Sequence, residues 1–212
     1  MFLQGFCGDV DPFANRIRWG SGTEEDIDFY GRHLASRLAK VKRHARRLED
    51  PVMRFSEARV DLPLAVAGER YIHEQRELFQ SLMGGGEKCR RFVDEWAEAL
   101  EAELNRVTGD PMLRGVPLQA VRIGEAVLVG CPAEVFCEVG LRLKEKAGTV
   151  FPVGFANGSI GYVPTEAAFD SPDDYACHIA PMFYGVFSYT PEVADMLMNE
   201  MDGLVQALDS SN

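Results

Sequence analysis

Apolar residues recur at two different periods along the chain, and these periods predict a mixture of helices and strands. From Glu24 to Glu49 they recur at helical spacing behind Thr23, which can serve as the N-cap. A second long helix is predicted from Gly86 to Val107. The apolar stripes of these two helices consist of Ile27, Tyr30, Leu34, Leu38 and Val41 in the first, and Phe92, Trp96, Leu100 and Leu104 in the second.

Strands are predicted where apolar and polar residues alternate or where a short apolar run occurs. They are one or two strands in Val52 to Ala65, two strands within Leu118 to Val129 joined by a turn at Gly124-Glu125, and one strand at Val150 to Phe155. Shorter helices are predicted from Glu69 to Met83, between Pro132 and Gly148, and after the cap Thr190 with Pro191 at the first position. The pattern therefore predicts one α/β domain over 1–212, a mixed sheet with the two long helices packed on one face.

The first residues, MFLQG, are predicted to form a buried strand that runs directly into a Gly/Asp/Pro loop. No cap and no polar lead-in precede this strand. Its neighbours in the sheet are therefore expected on sequence outside this chain or on another polypeptide.

The acidic charge balance of the chain disfavours nucleic acid as a partner. The formal net charge is -11, which argues against a nucleic-acid binder, whose binding surface is basic. One basic run, RLAKVKRHARR from Arg37 to Arg47, falls at the end of the first helix. It is either a solvated helix end, where cations complement the helix dipole, or a phosphate or lipid patch.

The five cysteines are scattered and form no CxxC pair, so a cysteine-based zinc knuckle is not expected. Their spacing is typical of a reduced, cytoplasmic protein. No apolar run approaches the roughly 18 residues that a membrane helix needs. The N-terminus lacks the basic start of a signal peptide.

Acidic residues beside predicted strand ends are the first candidates for chemistry. In VLVGCPAEVF, a strand, a sharp turn and a helix would place Glu134 at a helix N-terminus. Glu134 is then either a helix-start acid or a metal ligand or general base. Asp9 and Asp11 in GDVDPF either complete a turn or bind a cation. The four histidines form no HxH or HExxH pattern, and no P-loop, dinucleotide fingerprint or GxSxG motif occurs.

Two tyrosines stand in the polar loop FANGSIGYVPTEAAFDSPDDY, residues 155–175. Tyr162 and Tyr175 are either plugs, with the ring in the core and the hydroxyl in water, or groups that contact a substrate. Gly158 and Gly161 would supply the unusual backbone angles that such a loop needs.

Three segments, in order, resemble the neutral/alkaline (non-lysosomal) ceramidase family and its looser bacterial relatives. QGFCGDVDPF is similar to the family's GDVSPN loop, and GCPAEVFCEVGLRL to its G-x-P-G-E-F segment and following helix. FANGSIGYVPTEAAFDSPDDYA is similar to its SNxYxxYITTxxEYxxxxYE stretch, and FYGVFSYTPEV to a Tyr-Gly segment before the last helix of its catalytic domain. The resemblance spans nearly all of this chain and the C-terminal half of that domain. It implies that the chain is the second half of a larger αβ catalytic domain.

The resemblance also implies roles for four residues. In the family two histidines, a glutamate and a tyrosine hold the catalytic zinc, and Glu134 and Tyr162 match the last two. If Tyr162 is a ligand, its hydroxyl is expected to point into the same open cleft as the Glu134 carboxylate. Tyr175 matches a tyrosine that faces the substrate carbonyl. Asp11 stands where the family has a serine that has been proposed as the nucleophile, and a carboxylate there could orient a zinc-bound water. The implied function is a zinc-dependent amidase-type hydrolase that cleaves an N-acyl amide, ceramide-like or other, through that water.

Departures from the family's pattern keep a second function class open. The histidine ligands of Zn²⁺ belong to the family's N-terminal half and have no match here, so they are expected from a polypeptide that carries that half. Ala133 replaces a glycine and Asp11 replaces the serine. The alternative is a non-catalytic remnant or binding module, which is expected to hydrolyse no N-acyl amide.

Overall fold

The computed structural model describes residues 2–12, 20, 22–66, 68–82, 86–106, 111–146 and 149–210. Within them the helices are α1 (Glu24–Lys42), α2 (Glu69–Leu82), α3 (Glu87–Leu104), α4 (Cys137–Lys146), α5 (Ala180–Tyr184) and α6 (Val193–Ser210). The strands are β1 (Met53–Ala65), β2 (Met112–Ile123), β3 (Ala126–Gly130), β4 (Glu134–Val135), β5 (Thr149–Val153), β6 (Tyr162–Val163) and β7 (Ser188–Tyr189). A 3₁₀ turn, Glu166–Asp170, and a π-helix, Tyr175–Ile179, lie between β6 and α5.

Five strands form one mixed sheet in the order β5-β3-β2-β1-β7. The pairs β1–β2, β2–β3 and β1–β7 are antiparallel, whereas β3–β5 is parallel. The turn between β2 and β3 lies at Gly124, whose φ of 59° is the left-handed conformation that glycine adopts readily. The predicted α/β class, the mixed sheet and this hairpin are confirmed. Val52 to Ala65 contributes a single strand.

The main core lies between one face of the sheet and α6. Alternate residues of β1 and β2 point into it, as the period of two along a strand requires. From α6, Leu197, Met198 and Met201 are fully buried against them, and α4 packs beside α6. The closing helix therefore covers the sheet.

The long helix α1 does not pack on the sheet as predicted. It begins at the predicted cap, where Thr23 and Asp26 form a reciprocal capping box, but it ends at Lys42 instead of Glu49. None of its residues is buried. The prediction that this helix packs on the sheet is wrong, because helical periodicity identifies an apolar face without saying what covers it.

The helix α3 packs mainly against α2 and not on the sheet as predicted. It pairs with α2, and its Trp96 meets Phe79 of α2 edge-on, with ring centroids 5.3 Å apart. This second core also takes in Met182 and Phe187 from the region around α5. The helical hairpin α2–α3 thus supports the segment that carries the loop tyrosines.

The N-terminal residues do not form the predicted buried strand. Phe2 and Leu3 are 76% and 42% exposed and lie outside any strand. The carbonyl of Gln4 accepts a hydrogen bond from the backbone N–H of Gly154 at 2.9 Å. This contact fixes the start of the loop that reaches the candidate site. Among the described helices, none has the length and apolar character required to span a bilayer.

Candidate active site

The site is built on a small parallel pair of strands, β4 and β6. Glu134 stands opposite Tyr162 in the register of this pair, and its N–H donates to the carbonyl of Gly161 at 2.9 Å. Paired residues of adjacent strands point to the same face, so the carboxylate and the phenol project together. Gly161 has a φ of 85°, as expected for a glycine that turns the loop before the tyrosine. The predicted helix-start position of Glu134 is wrong, because α4 begins only at Cys137.

A third tyrosine, which the sequence analysis did not single out, completes this arrangement. The hydroxyl of Tyr184 donates a hydrogen bond to Oε1 of Glu134. Tyr184 ends α5, and Gly185 follows in the left-handed conformation with a φ of 64°. The ring of Tyr184 also lies against Gly161, where an added Cβ would meet it at 3.0 Å. The only sequence signal for it was the Tyr-Gly pair within FYGVF.

The environment keeps these phenols protonated. Burial, then the hydrogen bond and the charge of Glu134, raise the pKa of Tyr184 to about 12. The same causes, in the same order, raise the pKa of Tyr162 well above its ordinary value. Burial and the charge of Glu134 also raise the pKa of Tyr175. At neutral pH Tyr162 and Tyr184 therefore donate hydrogen bonds to one carboxylate, and the protonated Tyr175 lies close enough to feel its charge.

Tyr175 opens the π-helix and lies beside the other two tyrosines. Its ring meets the ring of Tyr162 edge-on at a centroid distance of 5.7 Å, and its side chain is 49% exposed. Asp174 caps this helix by accepting from the N–H of Cys177 at 3.0 Å. Single π-turns are frequent at functional sites. The ring of Tyr175 is thus held beside the carboxylate and open to solvent.

The loop from Gly8 to Asp11 forms the opposite wall. The N–H of Gly8 donates to the carbonyl of Val135 at 2.9 Å, which places the loop directly against β4. Asp9 accepts from the N–H of Cys137 at 2.6 Å, and is therefore the acid that caps α4. Asp11 is exposed at the rim. Asp9 thus has a structural role at the start of α4, which is not the local turn role that the sequence offered.

These parts enclose an open cleft of about 790 Å³. Its lining includes all four predicted site residues, Asp11, Glu134, Tyr162 and Tyr175. Asp9 and Asp174 line it as well, and among the described lining residues none is Lys, Arg or His. A concave site lined by acids concentrates cations. Tyr162 is not a plug, since its hydroxyl bonds to a carboxylate that faces this cleft.

The donor set fits part of a zinc site. Glu134 and Tyr162 offer a carboxylate and a phenol oxygen in contact with each other. Zinc in proteins takes three or four protein ligands. Over the described ranges, no group of three or more His, Cys, Asp and Glu side chains is arranged to hold a metal ion. These residues can therefore supply two ligands, and further ligands would have to come from elsewhere.

Comparison with known proteins gives a weak but consistent likeness. No protein-family model and no curated protein matches the chain. Among solved structures it is similar to a ceramidase complexed with C2, at 17% identity and a TM-score of 0.38. It is also similar to the neutral ceramidase from Pseudomonas aeruginosa, at 22% identity and a TM-score of 0.37. Both are ceramidases.

The overlap covers 76% of this chain in each case, but only 30% and 29% of the two ceramidases. The chain therefore spans less than a third of their length. The resemblance recognised from the sequence motifs is found again in this comparison.

Proposed function

We propose that this chain forms part of a zinc-dependent amidase-type hydrolase resembling neutral ceramidase, which cleaves an N-acyl amide. The observation that carries the proposal is the convergence of Glu134 with Tyr162 and Tyr175 in one open, acidic cleft. In this proposal Glu134 and Tyr162 are two ligands of Zn²⁺, and histidines outside this chain supply the rest. When bound, zinc would act as a Lewis acid and lower the pKa of water toward neutrality.

The residues of this chain have separate tasks in the proposed reaction. Hydrolysis adds water across the amide C–N bond and releases a carboxylic acid and an amine. Tyr175, protonated and exposed, donates a hydrogen bond to the carbonyl oxygen, where negative charge develops. Asp11, at the rim, accepts a hydrogen bond from the attacking water and orients it. Tyr184 positions Glu134 and touches neither the substrate nor the zinc.

The same cleft supports the proposed class of substrate. A volume of about 790 Å³ lies within the range of small-molecule sites. Tyr175 and Phe136 line it as apolar surface, and Phe183 adjoins the ring of Tyr175 at a centroid distance of 6.5 Å. An acyl chain can lie against such rings while the carbonyl meets the phenol. These rings support an amide with an apolar acyl group, ceramide-like or other, as the proposed substrate.

Zinc uptake tests the metal assignment. The chain is mixed with the polypeptide encoded directly upstream, dialysed against zinc, and the bound zinc is measured for the mixture and for the chain alone. We expect stoichiometric zinc in the mixture and much less in the chain alone, because two ligands hold zinc weakly. Glu134→Ala should abolish uptake, and Glu138→Ala, an exposed acid on α4 outside the cleft lining, should not. The proposal fails if the mixture takes up no zinc, or if Glu134→Ala takes up as much as the unchanged chain.

A further inference from the structure

The exposed helix α1 carries a continuous apolar stripe that no other part of the described chain buries. Its members are Ile27, Tyr30, Leu34, Leu38 and Val41, with exposures of 72%, 41%, 53%, 59% and 65%. Most helical stability in proteins comes from packing an apolar face and not from intrinsic helix propensity. A stripe of five large apolar residues therefore calls for a partner.

The spacing of the stripe is symmetric about its central residue. Ile27 and Val41 each stand seven positions from Leu34, and Tyr30 and Leu38 each stand four positions from it. A two-fold axis at Leu34 would bring each residue of the stripe opposite an apolar residue of a second, antiparallel copy. A self-complementary surface of this kind is what an isologous two-fold dimer requires.

The charges beside the stripe have the same symmetry. The first turn of α1 is acidic and the last turn is basic. Glu24 and Lys42 are 18 positions apart, which is about five helical turns, so both flank the stripe on the same side. In an antiparallel pair centred on Leu34, Glu24 of one copy would lie about 3 Å along the axis from Lys42 of the other. On the other flank of the stripe, Asp26 of one copy would likewise lie about 3 Å along the axis from Lys40 of the other.

We propose that α1 is the dimer interface of this chain, formed by antiparallel packing of two copies of the helix about Leu34. The pair would bury on the order of 1,000 Å², the low end for a specific interface. An anionic lipid surface would attract the basic end of α1 but repel its acidic end, whereas a second copy satisfies both ends. This interface is independent of the cleft chemistry.

Light scattering coupled to size-exclusion chromatography tests the interface on the full chain. We expect a dimer for the unchanged chain and a monomer for Leu34→Glu, since the axis would bring two carboxylates face to face. Ser36→Glu, on the opposite side of α1, is the matched control and should remain a dimer. Because Leu34 is exposed within one copy, Leu34→Glu should keep its folded core by circular dichroism and thermal unfolding.

A charge swap tests the antiparallel orientation. At low salt, Glu24→Lys alone and Lys42→Glu alone should each weaken the dimer, and the two changes in one chain should restore it. A monomeric unchanged chain would overturn the proposal, as would a Leu34→Glu chain that still dimerises. Failure of the double variant to restore the dimer would overturn the antiparallel arrangement. Binding of the monomer to phosphatidylserine vesicles through α1 would assign the stripe to a membrane instead.

Discussion

Glu134 is held by backbone contacts on both sides, and Gly8 is the closest of them. A Cβ built on Gly8 would lie 2.3 Å from the carbonyl oxygen of Glu134 and 3.0 Å from Cδ1 of Phe136. Real Cβ atoms do not approach a backbone oxygen this closely, so any larger residue must push the loop away from β4. Glycine at this position is therefore a requirement of the site.

Gly8→Ala is accordingly predicted to destabilise the chain by about 1–3 kcal/mol, the usual cost of overpacking a tight contact. Gly22→Ala is the control, because nothing lies within 4 Å of a Cβ built there. Urea unfolding of both variants measures the difference in the free energy of unfolding. Equal values for the two variants would contradict the close approach of this loop to Glu134.

The titration of the cleft tyrosines gives a second prediction at this scale. Glu134→Gln removes the carboxylate charge, so the pKa of Tyr162, Tyr175 and Tyr184 should fall toward, though not to, the ordinary value, since burial remains their largest cause. Tyr71 is the internal control, because burial alone raises its pKa. Alkaline titration of phenolate absorbance, with single Tyr→Phe variants for assignment, measures each value. An unchanged pKa of Tyr184 in Glu134→Gln would contradict the hydrogen bond between Tyr184 and Glu134.

The same shift sets a pH dependence of stability. The folded pKa of Tyr184, about 12, exceeds its ordinary value of 10.0, so folding favours the protonated phenol. Its contribution is fully present below about pH 10 and is lost as the pH rises through about 12. Unfolding curves across this window should fall less steeply with pH for Tyr184→Phe than for the unchanged chain. Parallel curves would show that Tyr184 titrates normally.

At the scale of elements, α6 is the helix that packs on the sheet and forms the main core with it. Leu197 is fully buried between α6 and the sheet, whereas Leu141 on α4 is 56% exposed. Leu197→Ala should lower the free energy of unfolding by about 2–5 kcal/mol through lost burial and the cavity left behind. Leu141→Ala should change it by no more than about 0.5 kcal/mol. Urea unfolding of the two variants checks this order, and a similar cost for both would contradict the assignment of the core.

Periodicity predicts the secondary-structure elements of this chain but not their packing partners. The hairpin at Gly124, the strand β1 and the helix α2 follow from alternation, helical spacing and turn residues within a few positions, so the sequence predicts them. The partner of a helix does not follow in this way. The stripe of α1 resembles any core-facing stripe, and only the fold shows that α6 occupies the sheet.

The candidate site was predictable only in part, because periodicity does not show which elements meet. Glu134 and Tyr162 meet through β4 and β6, which have two residues each and carry no periodic signal. Their convergence was expected only from the resemblance to a family. Tyr184 was missed because its bond to Glu134 spans 50 positions of the chain, and a tyrosine before a glycine is common at the end of any helix. Contacts of this range are fixed by the tertiary fold.

For the whole molecule, the acidic balance of the chain extends into the cleft, where the proposed chemistry uses it. The chain has a net charge of -11, and four acids line the cleft. Such a field favours a divalent cation in the cleft and disfavours retention of an anionic carboxylate product. In the proposed function, this field would favour the cation and the protonated tyrosines would face a neutral amide.

Turnover of an N-acyl amide is the measurement that tests this account most directly. Release of fatty acid is followed with the chain plus the polypeptide encoded directly upstream, with and without zinc. We predict zinc-dependent hydrolysis that falls about 100-fold in Tyr175→Phe, as expected for loss of one donor to the developing oxyanion, with Tyr71→Phe unchanged. Zinc-independent turnover, full activity of Tyr175→Phe, or no hydrolysis by a mixture that has taken up zinc would contradict it.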